Sequence, residues 1–195
     1  MQKRAILITG TPCVGKTTLA RLLASQLDAL CVNLTEFAVR ENLVVGRDKD
    51  RDTAIIDEVA MKSKLREVIE SSGEKDVVID GHYAAIVVPK ELVTYVFVLR
   101  RDPAELRELM EKEGFSTRKL WENLASEILD TCLFDALEAV DEGKVCELDV
   151  SRKRVTETVS EVLGVLNGGK KCEVGIVDWL GKLENEGQLD ELLRV

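Results

Sequence analysis

The octet Gly10-Thr11-Pro12-Cys13-Val14-Gly15-Lys16-Thr17 satisfies the pattern G-x-x-x-x-G-K-[ST]. Before it runs Ala5-Ile6-Leu7-Ile8-Thr9, a continuous apolar stretch that reads as a strand buried on both faces. After it, Leu19, Leu22, Leu23 and Leu27 recur at helical spacing. That strand–loop–helix frame separates a phosphate loop from a chance glycine-rich turn. Glycines at 10 and 15 permit backbone angles that aim successive N–H groups at one anion, and the helix N-terminus adds its positive dipole end. The cradle is therefore read as Gly10, Pro12, Cys13, Val14 and Gly15. Lys16 supplies a cation for the β- and γ-phosphates, the Thr17 hydroxyl a ligand for Mg²⁺, and Thr18 a donor to the α-phosphate of ATP. Cys13, beside Lys16 and a helix start, is either an acidified thiol or a tolerated small residue, and the second reading is preferred.

Outward from the loop, Leu30–Leu34, Asp76–Asp80, Thr94–Leu99 and Lys144–Val150 read as further strands, interleaved with helices. Wholly apolar strands alternating with helices predict an α/β fold: a three-layer P-loop sandwich around a parallel five-stranded sheet. Pro103 fits the first turn of a helix capped by Asp102 and ended by Gly114. Ser116 is expected to cap one long helix through Val140. The stretch from Thr35 to Ser72 reads as helix-rich and heavily charged, and the run Arg47-Asp48-Lys49-Asp50-Arg51-Asp52 as solvated. Residues 1–166 form the expected domain, and Asn167–Lys171 a flexible joint. The extension 167–195 carries two amphipathic stripes, Ile176, Trp179, Leu180 and Leu183, then Leu189, Leu192 and Leu193. Such stripes dock on their own domain more often than on a partner.

Asp80 ends an apolar strand as a Walker B carboxylate does, which directs it at the Mg²⁺ held with Thr17. His82, two residues on, positions an attacking water, contacts the γ-phosphate, or is a buried, hydrogen-bonded structural histidine. Phosphoryl transfer also needs cations over the equatorial oxygens. Arg100 and Arg101 follow a strand, Arg107 lies on the next helix, and Arg118 and Lys119 lie in a segment able to close as a lid. Arg40 is the candidate for gripping a monophosphate acceptor.

Composition narrows the classes. A formal net charge of −9 argues against a free-standing polyanion binder, so no sequence-specific nucleic-acid binding is expected. A charged start leading straight into strand and loop is unlike a signal peptide, and no apolar run is long enough to span a bilayer. A cytoplasmic protein is expected. Five cysteines without a Cys-x-x-Cys pair, beside the lone His82, make no zinc site and read as reduced thiols.

Taken in order, Gly10-Thr11-Pro12-x-Val14-Gly15-Lys16-Thr17-Thr18, Asn33 with Ala38, Ile55-Ile56-Asp57, Asp80-x-His82 and Val96-Phe97-Val98-Leu99-Arg100 form a characteristic set. Glu113-Gly114-Phe115 followed by Lys119-Leu120-x-Glu122-Asn123 and Glu127 completes it. From about Arg4 to Leu166 the chain resembles the small nuclear-type adenylate kinases (isoenzyme six, the coilin-interacting nuclear ATPases) and their archaeal relatives. The resemblance implies a broad-specificity nucleoside monophosphate kinase with ATPase activity, using ATP and Mg²⁺. It also implies a role in maturation of the small ribosomal subunit and its rRNA, through a basic ribosomal protein of the pre-ribosomal particle. An acceptor-binding insertion near 33–57, holding Asn33, Arg40 and Asp57, and a lid near 112–122 follow from the same likeness, with Lys16, Asp80, His82 and Arg118 as catalytic groups. Three positions depart from the family pattern: Cys13 replaces a glycine, Glu113 an arginine, and Arg40 is displaced by one. Arg107 or Arg118 is then the expected lid cation. Rival readings are an ATPase switch in ribosome assembly and a kinase of another small metabolite such as shikimate.

Overall fold

A computed structural model describes residues 3–48 and 53–193. Strand β1 (Ala5–Gly10) is buried along its whole length. Its side chains alternate between two cores, as pleating requires. Ala5 and Leu7 join one apolar cluster with Val77, Ile79, Val96 and Val98, and Ile6 and Ile8 join the other with Val78, Phe97 and Leu99. The sheet is completed by β2 (Leu30–Asn33), β5 (Val77–Asp80), β6 (Val93–Arg100) and β7 (Val145–Asp149), in the order β2-β5-β1-β6-β7. Every pairing in it is parallel. Helices α1 (Lys16–Leu27), α5 (Pro103–Lys112), α6 (Thr117–Ile128) and α8 (Val155–Leu166) pack on one face. Helices α2 (Leu34–Arg40), α3 (Glu58–Ser71), α4 (Ala84–Val87) and α7 (Thr131–Ala139) pack on the other. The three-layer parallel α/β sandwich is thus present.

Two expectations are corrected and one is extended. The stretch from Thr35 to Ser72 is helix-rich as read, holding most of α2 and all of α3, and between them β3 (Val44–Asp48) and β4 (Thr53–Ile56) add an antiparallel hairpin of mostly exposed residues. Its apolar residues Val44, Val45 and Ile55 are exposed rather than turned to a core, and strands of five and four residues are too short to show a buried–exposed alternation. Of the charge run, residues 49–52 lie outside the described residues. The long helix expected from Ser116 to Val140 is two helices, because Asp130 takes the left-handed conformation (φ 56°) between α6 and α7. Its carboxylate turns to Arg100 Nη2, and its carbonyl accepts from Leu133 N and Phe134 N to start α7. Finally, the cysteines are not all reduced: Cys146 and Cys172 form a disulfide with Cα atoms 4.4 Å apart. Cys13, Cys31 and Cys132 are free thiols.

The pairing of cysteines follows from where the C-terminal residues run. Glu147 N of β7 donates to the Glu173 carbonyl at 2.9 Å, and Ile176 N donates to Glu147 Oε2 at 2.9 Å. Two short helices follow, α9 (Trp179–Asn185) and α10 (Leu189–Leu192). Trp179, Leu183 and Leu192 are buried against the domain, whereas Ile176 and Leu180 of the first predicted stripe stay exposed. The presumed joint at 167–171 is bonded back onto α8: Gly169 N and Lys170 N both donate to the Gly164 carbonyl.

Candidate active site

Parallel register assembles the site. Ile8 lies opposite Asp80, and Asn33 opposite Asp80 on its other side. The carboxyl ends of β1, β5 and β2 therefore meet where the phosphate loop begins. Gly10 (φ 132°) is required there, since a Cβ would stand 2.5 Å from the Leu99 carbonyl oxygen. Gly15 (φ 101°) occupies the N-cap of α1 with open space around it. Cys13 also adopts a positive φ of 68°, the conformation that glycine takes without steric cost. Burial and then Glu113 push its thiol pKa up, against the opposing pull of Lys16. The acidified-thiol reading of Cys13 therefore does not hold.

Lys16 Nζ donates to the Thr11 carbonyl at 2.8 Å. Burial draws its pKa down, and Cys132, Asp80, Cys13 and Glu127 act in the other direction. Thr17 Oγ1 donates to Asp80 Oδ2 at 2.6 Å, and Asn33 Nδ2 donates to the same oxygen at 2.9 Å. Asp80 is 1% exposed, yet its Oδ1 has no partner among the described residues. A buried carboxylate oxygen without a donor, beside a threonine hydroxyl, is the hard-oxygen environment a Mg²⁺ ion prefers. Asp80 and Thr17 thus fit the metal assigned to them.

Two hollows flank the loop. One, about 200 Å³, is bordered by Gly15, Thr18, Arg101, Val150 and Lys153; Arg101 Nε is buried without a partner among the described residues. The other is a cleft of about 880 Å³. Pro12, His82 and Tyr83 form its inner wall, Val39, Val44 and Ile55 of the insertion one side, and Phe115, Lys119 and Asn123 the other. The His82 imidazole opens into this cleft. Desolvation, and secondly Lys16, lower its pKa to about 4, so it is neutral near pH 7 and suited to hydrogen bonding rather than to charge neutralisation. Its backbone carbonyl accepts from Thr9 Oγ1 at 2.9 Å.

Several predicted groups lie elsewhere. Arg100 is no closing cation: it is 2% exposed and bonds Glu127 Oε1 at 3.0 Å and Glu147 Oε1 at 2.5 Å. Arg107 is held by Glu111 and Glu191 and stacks over Trp121. Arg118 pairs with Glu122 at 2.9 Å on the exposed side of α6, while neighbouring Lys119 borders the cleft. Arg40 pairs with Glu41 and lies over the Phe37 ring, outside the cleft lining. Asp57 Oδ1 accepts from Ala60 N as the N-cap of α3, and Asn33 Oδ1 likewise caps α2 at Glu36 N. In sequence terms Arg100 followed a strand end as a phosphate-binding arginine would; burial among carboxylates gives it a structural task instead.

The residue that motif reading underused is Glu127. It sits on α6 in the buried set Leu120, Leu124, Glu127 and Ile128. An acid at a core position of an apolar stripe is the signal that marks it. Its Oε2 accepts from Thr11 Oγ1 at 2.5 Å.

A family model described as an AAA domain matches residues 6–130. A protein named "Putative adenylate kinase" from Methanococcus maripaludis is 36% identical over 180 residues, covering 90% of this chain and 94% of its own. One of the same name from Pyrococcus abyssi is 39% identical over 178 residues, covering 89% and 90%. Among solved structures, shikimate kinase from Bacteroides thetaiotaomicron superposes with a TM-score of 0.57 at 19% identity, over 84% of this chain and 98% of that one. Thymidylate kinase from Candida albicans gives 0.55 at 14% identity, over 86% and 92%; these two likenesses speak to the fold alone. With its loop, its strand-end carboxylate and relatives matched along nine-tenths of its length, this chain belongs to the AAA-domain family of archaeal proteins that carry the adenylate kinase name.

Proposed function

We propose that this chain is a cytoplasmic, broad-specificity nucleoside monophosphate kinase that transfers the γ-phosphate of ATP to AMP or a similar acceptor. The observation that carries the reading is the pair of hollows bordered by the phosphate loop, one small at Val14, Gly15 and Thr18 beside Arg101, one large at Pro12 beside His82. A donor base seated in the first leaves its phosphates on the loop amides, and an acceptor seated in the second meets them from the opposite side. Transfer of this kind is mainly positioning and charge neutralisation. Mg²⁺, which Asp80 and Thr17 would hold, supplies part of that neutralisation. Lys16 leaves the Thr11 carbonyl for phosphate oxygen, and neutral His82 offers a hydrogen bond at the cleft's inner wall. Lys119 takes the lid role that Glu113 cannot fill, with Arg118 held at the rim by Glu122. Acceptor contact falls to the insertion wall around Val39 and Ile55, with Asn33 fixing Asp80, Arg40 outside on α2 and Asp57 capping α3.

A coupled assay comparing AMP, CMP, dAMP and no acceptor tests this. Strong stimulation by monophosphates is expected, and turnover independent of acceptor would overturn it. The likeness to the nuclear-type enzymes adds ATPase activity and small-subunit maturation to the proposal. The net charge of −9 suits a basic ribosomal protein as the partner. Failure of such a protein to co-purify with the chain would remove that part alone.

A further inference from the structure

Glu127, buried on α6, is shared by four donors from three parts of the chain. Its Oε2 takes Thr11 Oγ1 of the phosphate loop at 2.5 Å. Its Oε1 takes Arg100 Nε and Arg101 N at the end of β6, both at 3.0 Å. The fourth donor is Trp179 Nε1, at 3.1 Å, from a residue 52 positions along the chain in α9.

Trp179 is held where it is by its own segment. The Cys146–Cys172 bridge and the Glu147–Glu173 and Glu147–Ile176 hydrogen bonds fix the chain just before it to β7. After it, Lys182 Nζ donates to Asp102 Oδ2 at 2.5 Å, and Glu191 pairs with Arg107. The indole is 7% exposed and Glu127 is 2% exposed, so the carboxylate has no water to turn toward. A desolvated carboxylate held from three elements cannot rotate without stranding a buried donor. Its far oxygen fixes the Thr11 hydroxyl, and the carbonyl of that same Thr11 is what Lys16 Nζ rests on.

We propose that Trp179 is a positioning residue for the phosphate loop, acting from the C-terminal extension through Glu127 and Thr11 on the cradle that receives ATP. The inference rests on the nucleotide reading above, and the two can fail separately. Loss of the indole N–H removes one of the three donors on Oε1 and lets the carboxylate shift on its remaining Arg100 and Arg101 contacts; Thr11 is loosened, and ATP binding weakens at a distance from any ligand contact.

Calorimetric titration of the full chain with ATP and magnesium is the test. Trp179→Phe keeps the ring bulk and removes the donor; Thr11→Val keeps the shape and removes the hydroxyl. Each is expected to weaken ATP binding about tenfold, as for one lost hydrogen bond to a charged acceptor. Because both break one relay, the double variant is also expected to lose about tenfold rather than the roughly hundredfold of independent sites. A Trp179→Phe protein with lowered thermal stability but unchanged ATP affinity would mean a packing role only, and overturn the proposal. So would a fully additive double variant. The chain has two tryptophans, so Trp121→Phe leaves Trp179 as the only indole reporter. Its emission is expected to change on saturation with ATP and magnesium, and an unchanged spectrum in a protein that binds would overturn the coupling even if Trp179→Phe fails to fold. Wild-type protein that binds no ATP would remove the nucleotide reading itself, and this inference with it.

Discussion

Replacing Asp80 with asparagine removes one charge and almost no volume, and the structure gives the consequence on each side of the binding equilibrium. In the free protein, an amide oxygen in place of Oδ2 keeps the bonds from Thr17 and Asn33. It weakens each by about 1 kcal/mol, the difference between charged and neutral acceptors. The new amide N–H₂ at the unpartnered Oδ1 position finds no acceptor, costing about 1–3 kcal/mol more. Against these stands relief of a buried carboxylate's desolvation, several kcal/mol in size. The terms nearly cancel, so the melting temperature of the free variant is expected to stay within about 4 °C of wild type. With ligand the outcome differs. ATP and magnesium at a hundred times Kd add about 2.7 kcal/mol to wild type. At 2–4 °C per kcal/mol for a domain of this size, that is a shift of about 5–11 °C. A variant whose affinity is about a hundredfold weaker, from loss of one charged ligand, sits at its own Kd under the same conditions. It then gains only about 0.4 kcal/mol, a shift of roughly 1 °C. Thermal-shift measurements with ATP plus magnesium, and with ATP plus EDTA, separate the two cases, and turnover should fall about 10²–10³-fold. A full magnesium-dependent shift retained in Asp80→Asn would refute the assignment of this carboxylate to the metal.

Other substitutions probe the remaining parts. Arg100→Met leaves Glu127 and Glu147 buried without their cation; unfolding should cost about 3–5 kcal/mol less, a drop of roughly 6–20 °C in melting temperature, read by calorimetry. His82, with its pKa lowered to about 4, binds its proton more tightly in the unfolded chain. Stability should therefore decline as pH falls from about 6.5 toward 4, a decline that is smaller in His82→Asn. Across pH 6–8, where the imidazole is already neutral, the two proteins should show rate profiles of the same shape. Gly10→Ala places a methyl against the Leu99 carbonyl at a positive φ, so it should cost about 2–6 kcal/mol from strain plus overpacking and lose ATP binding by calorimetry. Lys119→Ala should lower kcat more than it raises the Kd of ATP, while Arg118→Ala changes both little; equal losses would move Lys119 into ground-state binding.

The phosphate loop was legible from residues alone because its signals are local. An apolar strand, glycines at two positions of positive φ, and a lysine at the helix start all fall within Ala5–Leu27. Asp80 was legible for the same reason, as the polar end of a short apolar run, and alternating strands and helices fixed the parallel sandwich. What tertiary structure decided was the task of each charged group, since pairing depends on neighbours far along the chain. Arg100 looked like a phosphate ligand until Glu127 and Glu147 closed on it from 27 and 47 residues away. Asp57 and Asn33 look like ligands and also serve as helix caps. Asp130 breaks a helix that propensity alone would continue, because its carboxylate has a buried guanidinium to meet. The C-terminal stripes foretold an amphipathic segment, but only packing chose Trp179 over Ile176 and Leu180 for burial and delivered its N–H to Glu127. Spacing along a chain specifies a face; which charge or donor lies across from it is set by three-dimensional proximity.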